Sequence, residues 1–175
     1  WFLSVKPVLC IAGPTASGKS RFALQLAEVV DGEIINSDAL QVYKDIHILS
    51  ARPEERDLKA IPHHLYGYVP GGTHYSGGHW VRAVMPVVLE VLSRGKVPIL
   101  VGGTGLYFKS LIEGLAFVPD IDPQGIKEIE NQIKYDGIHS VMDEARILDP
   151  IGVSRLMGDD PQRLTRLLSV VKQTG

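Results

Sequence analysis

A single cysteine, Cys10, stands in the whole sequence, so no internal disulfide framework is available and a reducing compartment fits. No apolar run approaches the roughly 20 residues that span a bilayer, and no membrane partner is expected. The opening Trp1 to Lys6 has neither the basic region nor the small-residue cleavage site of a secretory signal, which leads to the expectation of a cytoplasmic location. Charge of one sign is not in excess either. The formal net charge is −2, so a nucleic-acid partner would have to be met by a local basic patch or by the site itself. Repeats and low-complexity tracts are absent. Hydrophobic content of 45% against 22% charged residues is that of a folded globular chain, and 175 residues leave room for one core with a small appended subdomain.

What is present begins with Gly13-Pro14-Thr15-Ala16-Ser17-Gly18-Lys19-Ser20, a complete G-x-x-x-x-G-K-S phosphate-binding loop. Val8 to Ala12 before it reads as a short buried parallel strand, and Arg21 to Val30 after it carries apolar residues at helical spacing. Glycines let the backbone curl so that consecutive N–H groups face phosphate oxygens, and the following helix adds its positive end. Lys19 would reach the terminal phosphate oxygens and the Ser20 hydroxyl would ligate magnesium. Something carrying a diphosphate or triphosphate is expected here.

A second buried strand, Glu33 to Asp38, delivers Asp38 at its polar end. In parallel α/β sheets ligands sit beyond the carboxyl ends of the strands, so Asp38 and Lys19 should face one crevice. Residues 39 to 62 read as a short helical piece and then a charged loop, Arg52 to Asp57, punctuated by Pro53 and Pro62. A third strand is expected over His63 to Val69. Ser76 can cap a helix to about Arg94 whose apolar face uses Trp80, Val84, Val87, Val88, Val91 and Leu92, with Pro86 inside it and Gly95 at its stop. Val97 to Val101 is a further strand, running into Gly102-Gly103-Thr104-Gly105 and a helix beginning near Leu106. Alternating strands and helices predict a parallel sheet with covering helices, over residues 1–118. After the link Pro119-Asp120-Ile121-Asp122-Pro123, residues 119–175 read as a small helical subdomain, with Asp149-Pro150 and Asp160-Pro161 as helix starts.

The phosphate loop alone does not separate an ATPase from a kinase or another phosphate-handling enzyme. Many ATPases end a later strand in a magnesium-holding acid and position a residue to orient water. Here that strand ends in Gly-Gly-Thr-Gly, which is either an ordinary tight turn or a second cradle bringing Thr104 to the other side of a phosphate. Asp38 is a solvated strand-end carboxylate, a general base or an indirect magnesium ligand. Gln41 contacts a bound base or is a polar surface residue. His63, His64, His74 and His79 share one segment but match no common zinc spacing. Cys10, in an apolar strand, is expected to be a packed thiol. Arg155, Arg163, Arg166 and Lys172 form a solvated helix face or the patch that a nucleic acid would need.

Several segments, in order, resemble the tRNA dimethylallyltransferases, also called tRNA isopentenyltransferases. They are Gly13 to Ser20, Ile35-Asn-Ser-Asp-Ala-Leu-Gln-Val-Tyr43, Ile61-Pro-His-His-Leu65, Tyr75-Ser76, Pro98-Ile-Leu-Val-Gly-Gly-Thr-Gly-Leu-Tyr-Phe108, Asp160-Pro-Gln-Arg163 with Arg166, and Thr174-Gly175. The resemblance implies an α/β fold, a parallel sheet like that of the P-loop NTPases with a small helical subdomain at the C-terminal end. It also implies transfer of a dimethylallyl group from its diphosphate to the exocyclic amine of the adenine 3′ of a tRNA anticodon. ATP is then not the substrate. Gly13, Pro14, Thr15, Ala16, Ser17, Gly18, Lys19 and Ser20 would hold the diphosphate, with Mg2+ on Ser20. Lys19 and Thr104 would offset charge developing on the leaving group, and Asp38 would accept or orient the amine proton. Asp38, Ala39, Leu40, Gln41, Gln162, Arg163, Leu164, Thr165 and Arg166 match segments that touch tRNA in the family. A monomer is expected.

Departures from the family pattern fall at Leu49, Ser50, Arg52, Ile126, Leu167 and Ser169. Of these, Arg52 for lysine and Ser50 for threonine keep chemical character, whereas Leu49 replaces a glycine. The resemblance further implies a chain that continues past Gly175, so this sequence is expected to be an N-terminal portion with an incomplete core. In such a portion diphosphate binding would outlast full tRNA modification. The alternatives kept open are a small-molecule kinase using ATP and a diphosphate- or nucleotide-binding fragment without turnover.

Overall fold

The computed structural model describes residues 6–46, 52–114 and 121–175. They fall into two compact units, Trp1–Leu115 and Ala116–Gly175. The departures at Leu49 and Ser50, and Pro119 and Asp120 of the expected link, lie outside the described residues. No helix among the described residues is long and apolar enough to cross a membrane.

The first unit is a parallel sheet with helices. Strand β1 (Leu9–Ala12) leads through the glycine-rich loop into α1 (Lys19–Val30), and β2 (Gly32–Asn36) follows after a single residue, Asp31, in the left-handed region (φ 54°). Helix α2 (Glu55–Ala60) and β3 (His63–His64) precede the long α3 (Gly77–Ser93), then β4 (Val97–Gly102) and α4 (Gly105–Glu113). The sheet order is β1-β4-β2-β3, all pairs parallel. In register Leu9 lies opposite Ile99, and Ile34 lies between Ile99 and His63. Strands β2 and β4 are buried throughout, as expected of central parallel strands covered on both faces.

Two apolar layers cover the sheet. On one, Trp80, Val84 and Val88 of α3 pack with Ile35, Leu100, Tyr107 and Phe108. On the other, Ala23 and Ala27 of α1 pack on Ile34, Val97, Ile99 and Val101. Helix α3 carries the apolar stripe read from its spacing, and Ser76 caps it in a reciprocal pair with His79. Gly95 (φ 71°) turns the chain out of it.

Three expectations change. The charged stretch at 52–57 does not remain a loop: Glu54 and Asp57 form a reciprocal cap that starts α2 one residue on. The strand expected over 63–69 is reduced to His63 and His64, because Leu65 (φ 61°) and Gly67 (φ 56°) take left-handed conformations that no strand tolerates. Only an isolated bridge joins Tyr43 to Val69. Strand β1 is an edge strand with β4 as its partner, its residues alternate half-buried and exposed, and Cys10 is exposed rather than packed.

At the opposite end of the sheet from the glycine-rich turns, Glu33 is buried on β2. His64 Nε2 lies 2.6 Å from its Oε2, and Arg94 donates to both its oxygens at 2.7 and 3.3 Å. Burial pushes the Glu33 carboxyl up, but the Arg94 and His64 hydrogen bonds and charges outweigh it and hold the group below the ordinary glutamate value.

The second unit is helical: α5 (Pro123–Asp136), α6 (Ile138–Leu148), the short α7 (Pro150–Ser154) and α8 (Pro161–Thr174). Asp122, Asp149 and Asp160 each cap a helix whose first residue is proline, accepting the N–H of Gln124, Gly152 and Gln162 respectively. Ile129, Val141, Met142, Ala145, Leu164 and Leu168 form its core.

Two outcomes follow. A Cβ added at Gly102 would lie 2.1 Å from the Ser37 carbonyl oxygen, so Gly102→Ala must part β4 from the end of β2. A loss of about 2–3 kcal/mol is expected in urea unfolding. Because the folded value of Glu33 is depressed, its contribution to stability is present above the unfolded value of about 4.3 and disappears as pH falls through the lower folded value. Glu33→Gln should therefore flatten the acid limb of melting temperature against pH while lowering the plateau near neutrality.

Candidate functional site

The glycine-rich loop leaves β1 at Gly13, whose N–H donates to the Gly102 carbonyl at 3.3 Å, tying the loop to the end of β4. Ser17 N–H closes a turn onto the Pro14 carbonyl at 3.4 Å. Ala16 (φ 62°) and Gly18 (φ 82°) take left-handed conformations, the alternation that turns successive N–H groups inward. Gly18 is the N-cap of α1 and offers no side chain, so the first-turn N–H groups of a twelve-residue helix are left for a ligand. Lys19 Nζ donates to the Pro14 carbonyl at 2.9 Å, folded over its own loop, and Ser20 follows as an exposed hydroxyl.

Asp38 lies two residues past β2. Its Oδ1 accepts the Leu40 N–H at 2.9 Å, an Asx turn that fixes the carboxylate and leaves Oδ2 without a hydrogen-bond partner among the described residues. Behind it Asn36, fully buried, uses its whole side chain. Oδ1 accepts the Asp38 N–H at 2.9 Å, and Nδ2 donates to the carbonyls of Asp38 at 3.1 Å and Leu65 at 3.0 Å. The Asn36 carbonyl accepts the Trp80 indole N–H at 2.9 Å.

Thr104 is the N-cap of α4. Its Oγ1 accepts the Ala39 N–H at 2.9 Å, and its own N–H donates to the Ser37 carbonyl at 3.3 Å. The second glycine turn is thus stitched to the Asp38 turn by both side chain and backbone. A Cβ placed at Gly103 would lie 3.2 Å from the Gly13 carbonyl and 3.5 Å from Asp38 Oδ2. The two glycine turns and the carboxylate therefore meet at one point beyond the strand ends, bringing together Gly13, Asp38 and Thr104 with the loop that carries Lys19 and Ser20.

Two tyrosines, Tyr66 and Tyr107, lie within reach of the Asp38 charge. Tyr107, one turn beyond Thr104, stacks on Trp80 with centroids 4.5 Å apart, and its buried hydroxyl has no hydrogen-bond partner among the described residues. Its ionisation is pushed above the ordinary tyrosine range by burial and then by Tyr75, Tyr43 and Asp38. Tyr66 is likewise pushed up by burial and by the charge of Asp38. Beside the loop lies a cavity of about 250 Å³ lined by Ser20, Leu24, Ile34, Arg52, Tyr66 and Val101, among others.

The remaining expected residues divide. Ala39 is half-buried and Leu40 exposed, and Gln41 anchors Gly67 through its carbonyl, which accepts the Gly67 N–H at 2.9 Å. In the second unit, Gln162, Arg163 and Arg166 line an open groove of about 690 Å³ along α8. Leu164 and Thr165 are corrected from contact residues to interior ones: both are buried, because their positions on α8 face the helical core. Arg163 is half tethered, its Nε 3.2 Å from Asp160. Of the histidines, His63 lines the cavity beside the phosphate loop with its Nδ1 2.7 Å from the Ile61 carbonyl, His64 joins Glu33, and His79 caps α3.

Asn36 and Trp80 as positioning groups were missed from sequence. The buried Asn in Ile35-Asn36-Ser37-Asp38, a polar residue in an apolar strand two places before the carboxylate, was the available signal.

Residues 41–175 match the family model described as IPP transferase, and residues 6–66 that described as isopentenyl transferase. Among curated relatives, the tRNA dimethylallyltransferase of Rhizobium rhizogenes is 42% identical over 95% of this chain and 56% of its own length. That of Rhodopseudomonas palustris is 44% identical over 94% and 52%. The structure is similar to that of a eukaryotic dimethylallyltransferase acting on tRNA (TM-score 0.81, 28% identity, 97% of this chain and 44% of the other). It is also similar to the full-length tRNA isopentenylpyrophosphate transferase of Bacillus halodurans (TM-score 0.62, 30% identity, 98% and 56%). The chain thus spans somewhat over half the length of the curated relatives it matches.

Thr104→Val removes the acceptor of the Ala39 N–H without removing bulk. It should cost about 1 kcal/mol in urea unfolding and speed hydrogen exchange at the Ala39 amide, while Thr104→Ser retains slow exchange.

Proposed function

This chain belongs to the IPP transferase family, and from that premise we propose that its site takes dimethylallyl diphosphate on the phosphate loop and directs the allyl group to the exocyclic amine of an adenine in a tRNA anticodon loop. The observation that carries the reading is the convergence at Gly103 of the Gly13 loop and the Asp38 carboxylate. A leaving-group cradle and a proton acceptor side by side are what such a transfer needs.

In the transfer, the bond between the allylic carbon and the diphosphate oxygen breaks with its electron pair going to oxygen. The adenine nitrogen forms the new carbon–nitrogen bond and sheds one proton. Its lone pair is delocalised into the ring, so the carbon must gain cationic character first, and stabilising the leaving diphosphate dominates the barrier. The inward N–H groups of Ala16 to Gly18 and the free first turn of α1 bind the phosphate oxygens. Lys19, released from the Pro14 carbonyl, adds a full positive charge. Thr104 keeps its hydroxyl hydrogen available for the same anion while its oxygen holds Ala39. Asp38 Oδ2, left open by the Asx turn, accepts the amine proton. The adenine must leave its stack to reach Asp38, and Tyr66, which lines the cavity beside the loop, provides an aromatic wall.

The donor set suits a hard divalent cation. Ser20 offers a hydroxyl, and magnesium is usually held by one or two protein oxygens together with substrate phosphates rather than in an all-protein cage. When bound it would neutralise charge on the diphosphate. Gln162, Arg163 and Arg166 supply the cationic and polar side chains for an RNA backbone, with a cytoplasmic setting for the reaction.

The test is transfer of label from dimethylallyl diphosphate to an anticodon stem-loop RNA with magnesium, by this chain and by the chain extended to the length of its relatives. Asp38→Asn should lower kcat about 10²- to 10⁴-fold with little change in the KM for the diphosphate. ATP turnover dependent on a small metabolite, without label in RNA from the extended protein, would overturn the reading in favour of a kinase.

A further inference from the structure

Among the described residues Arg52 is a cation without an ion-pair partner. Its side chain lines the 250 Å³ cavity that also receives Ser20, the hydroxyl at the start of α1. The guanidinium is held in place rather than free. Nη2 donates to the Lys44 carbonyl at a long 3.4 Å, and the group lies against Gly67, where an added Cβ would overlap it. Buried Nε has no hydrogen-bond partner, and Arg52 forms no ion pair among the described residues. A buried guanidinium donor left unmatched is costly, and the usual resolution is an oxyanion that accepts from it.

The carboxylates near the cavity are occupied. Glu54, exposed at the rim, pairs with Arg56 at 3.2 Å. Asp57 accepts the Glu54 N–H at 3.3 Å and lies 3.6 Å from Arg56. Arg56 thus offsets part of the negative charge of these two carboxylates, and Arg52, which pairs with neither, is the inner cation. The floor of the cavity, Ala23, Leu24, Ile34 and Val101, is aliphatic. A space of this size, apolar on one side, with Ser20, Arg52, His63 and Tyr66 on the other and the Arg56-paired Glu54 and Asp57 completing the lining, matches a small amphiphilic anion better than a polynucleotide.

We propose that Arg52 is a direct contact for a phosphate oxygen of the allylic diphosphate, a second cationic arm of the phosphate loop supplied from the segment before α2. This rests on the reading of the site as a diphosphate cradle. The planar fork of arginine can donate to two oxygens at once, so the arrangement binds the diphosphate tightly and fixes its orientation.

The experiment is calorimetric titration of the 175-residue chain with inorganic diphosphate and magnesium, repeated with an anticodon stem-loop RNA. Arg52→Gln should weaken diphosphate binding about 10- to 100-fold, with Arg52→Lys between the two, while RNA binding changes less than threefold. Melting curves report whether either variant is unfolded. Independently of any variant, arginine-selective dicarbonyl labelling of the unsubstituted chain, read by mass spectrometry, should show Arg52 protected by magnesium diphosphate. Equal labelling with and without diphosphate, or Arg52→Gln binding diphosphate within threefold of the unsubstituted chain, overturns the proposal. So does a loss confined to RNA binding, which would assign the guanidinium to an RNA phosphate. Failure of the unsubstituted chain to bind diphosphate at all would overturn the cradle reading itself, an outcome separable from the failure of Arg52 alone.

Discussion

The side-chain amide of Asn36 is the contact on which the rest of the site depends. It stands fully buried at the last position of a central strand and makes three hydrogen bonds, to both backbone groups of Asp38 and to Leu65, while the backbone carbonyl of Asn36 accepts from the Trp80 indole. Asp38 and the left-handed turn at Leu65 are therefore referred to one side chain, and the first turns of α3 to the backbone of the same residue. A buried amide with these bonds satisfied is rigid, and one left unsatisfied is expensive, so the geometry of the carboxylate is set by an interior constraint rather than by the surface.

Around that fixed carboxylate the charges are arranged by distance along the sheet. The two glycine turns and Lys19 lie at the carboxyl ends of the strands. The Glu33–Arg94–His64 group closes the other end, where it bonds β2, β3 and the end of α3 to one another. One end of the sheet thus has its ionic groups mutually satisfied, while the other keeps N–H groups, a lysine and a carboxylate oxygen available for ligands. The contrast separates groups that hold the fold from groups left open to a ligand.

Most of this was legible from residue order because the controlling signals are local. The phosphate loop, the Ser76 cap, the α3 stripe and the Asp-Pro helix starts each operate within a few residues. What sequence could not supply was long-range or conformational. Leu65 and Gly67 in the left-handed region ended a strand that composition favoured. The edge position of β1 exposed Cys10, which no local pattern announces, since it depends on which strand lies beside which. Likewise Leu164 and Thr165 sit in a polar-looking stretch, and only the packing of α8 on its neighbours turned them inward.

The sheet order has a kinetic consequence. Strand β1 finds its partner β4 ninety residues later, Leu9 opposite Ile99, and Gly13 is fastened to Gly102 across the same gap. Closing so distant a contact is slow compared with forming a helix or a hairpin, and a chain emerging from the ribosome presents its first strand long before the mate exists. The phosphate loop is thus the earliest part of the site to be synthesised and among the last to acquire its shape. During that interval β1, flanked by exposed apolar side chains such as Val8 and Phe22, is the segment most open to wrong partners.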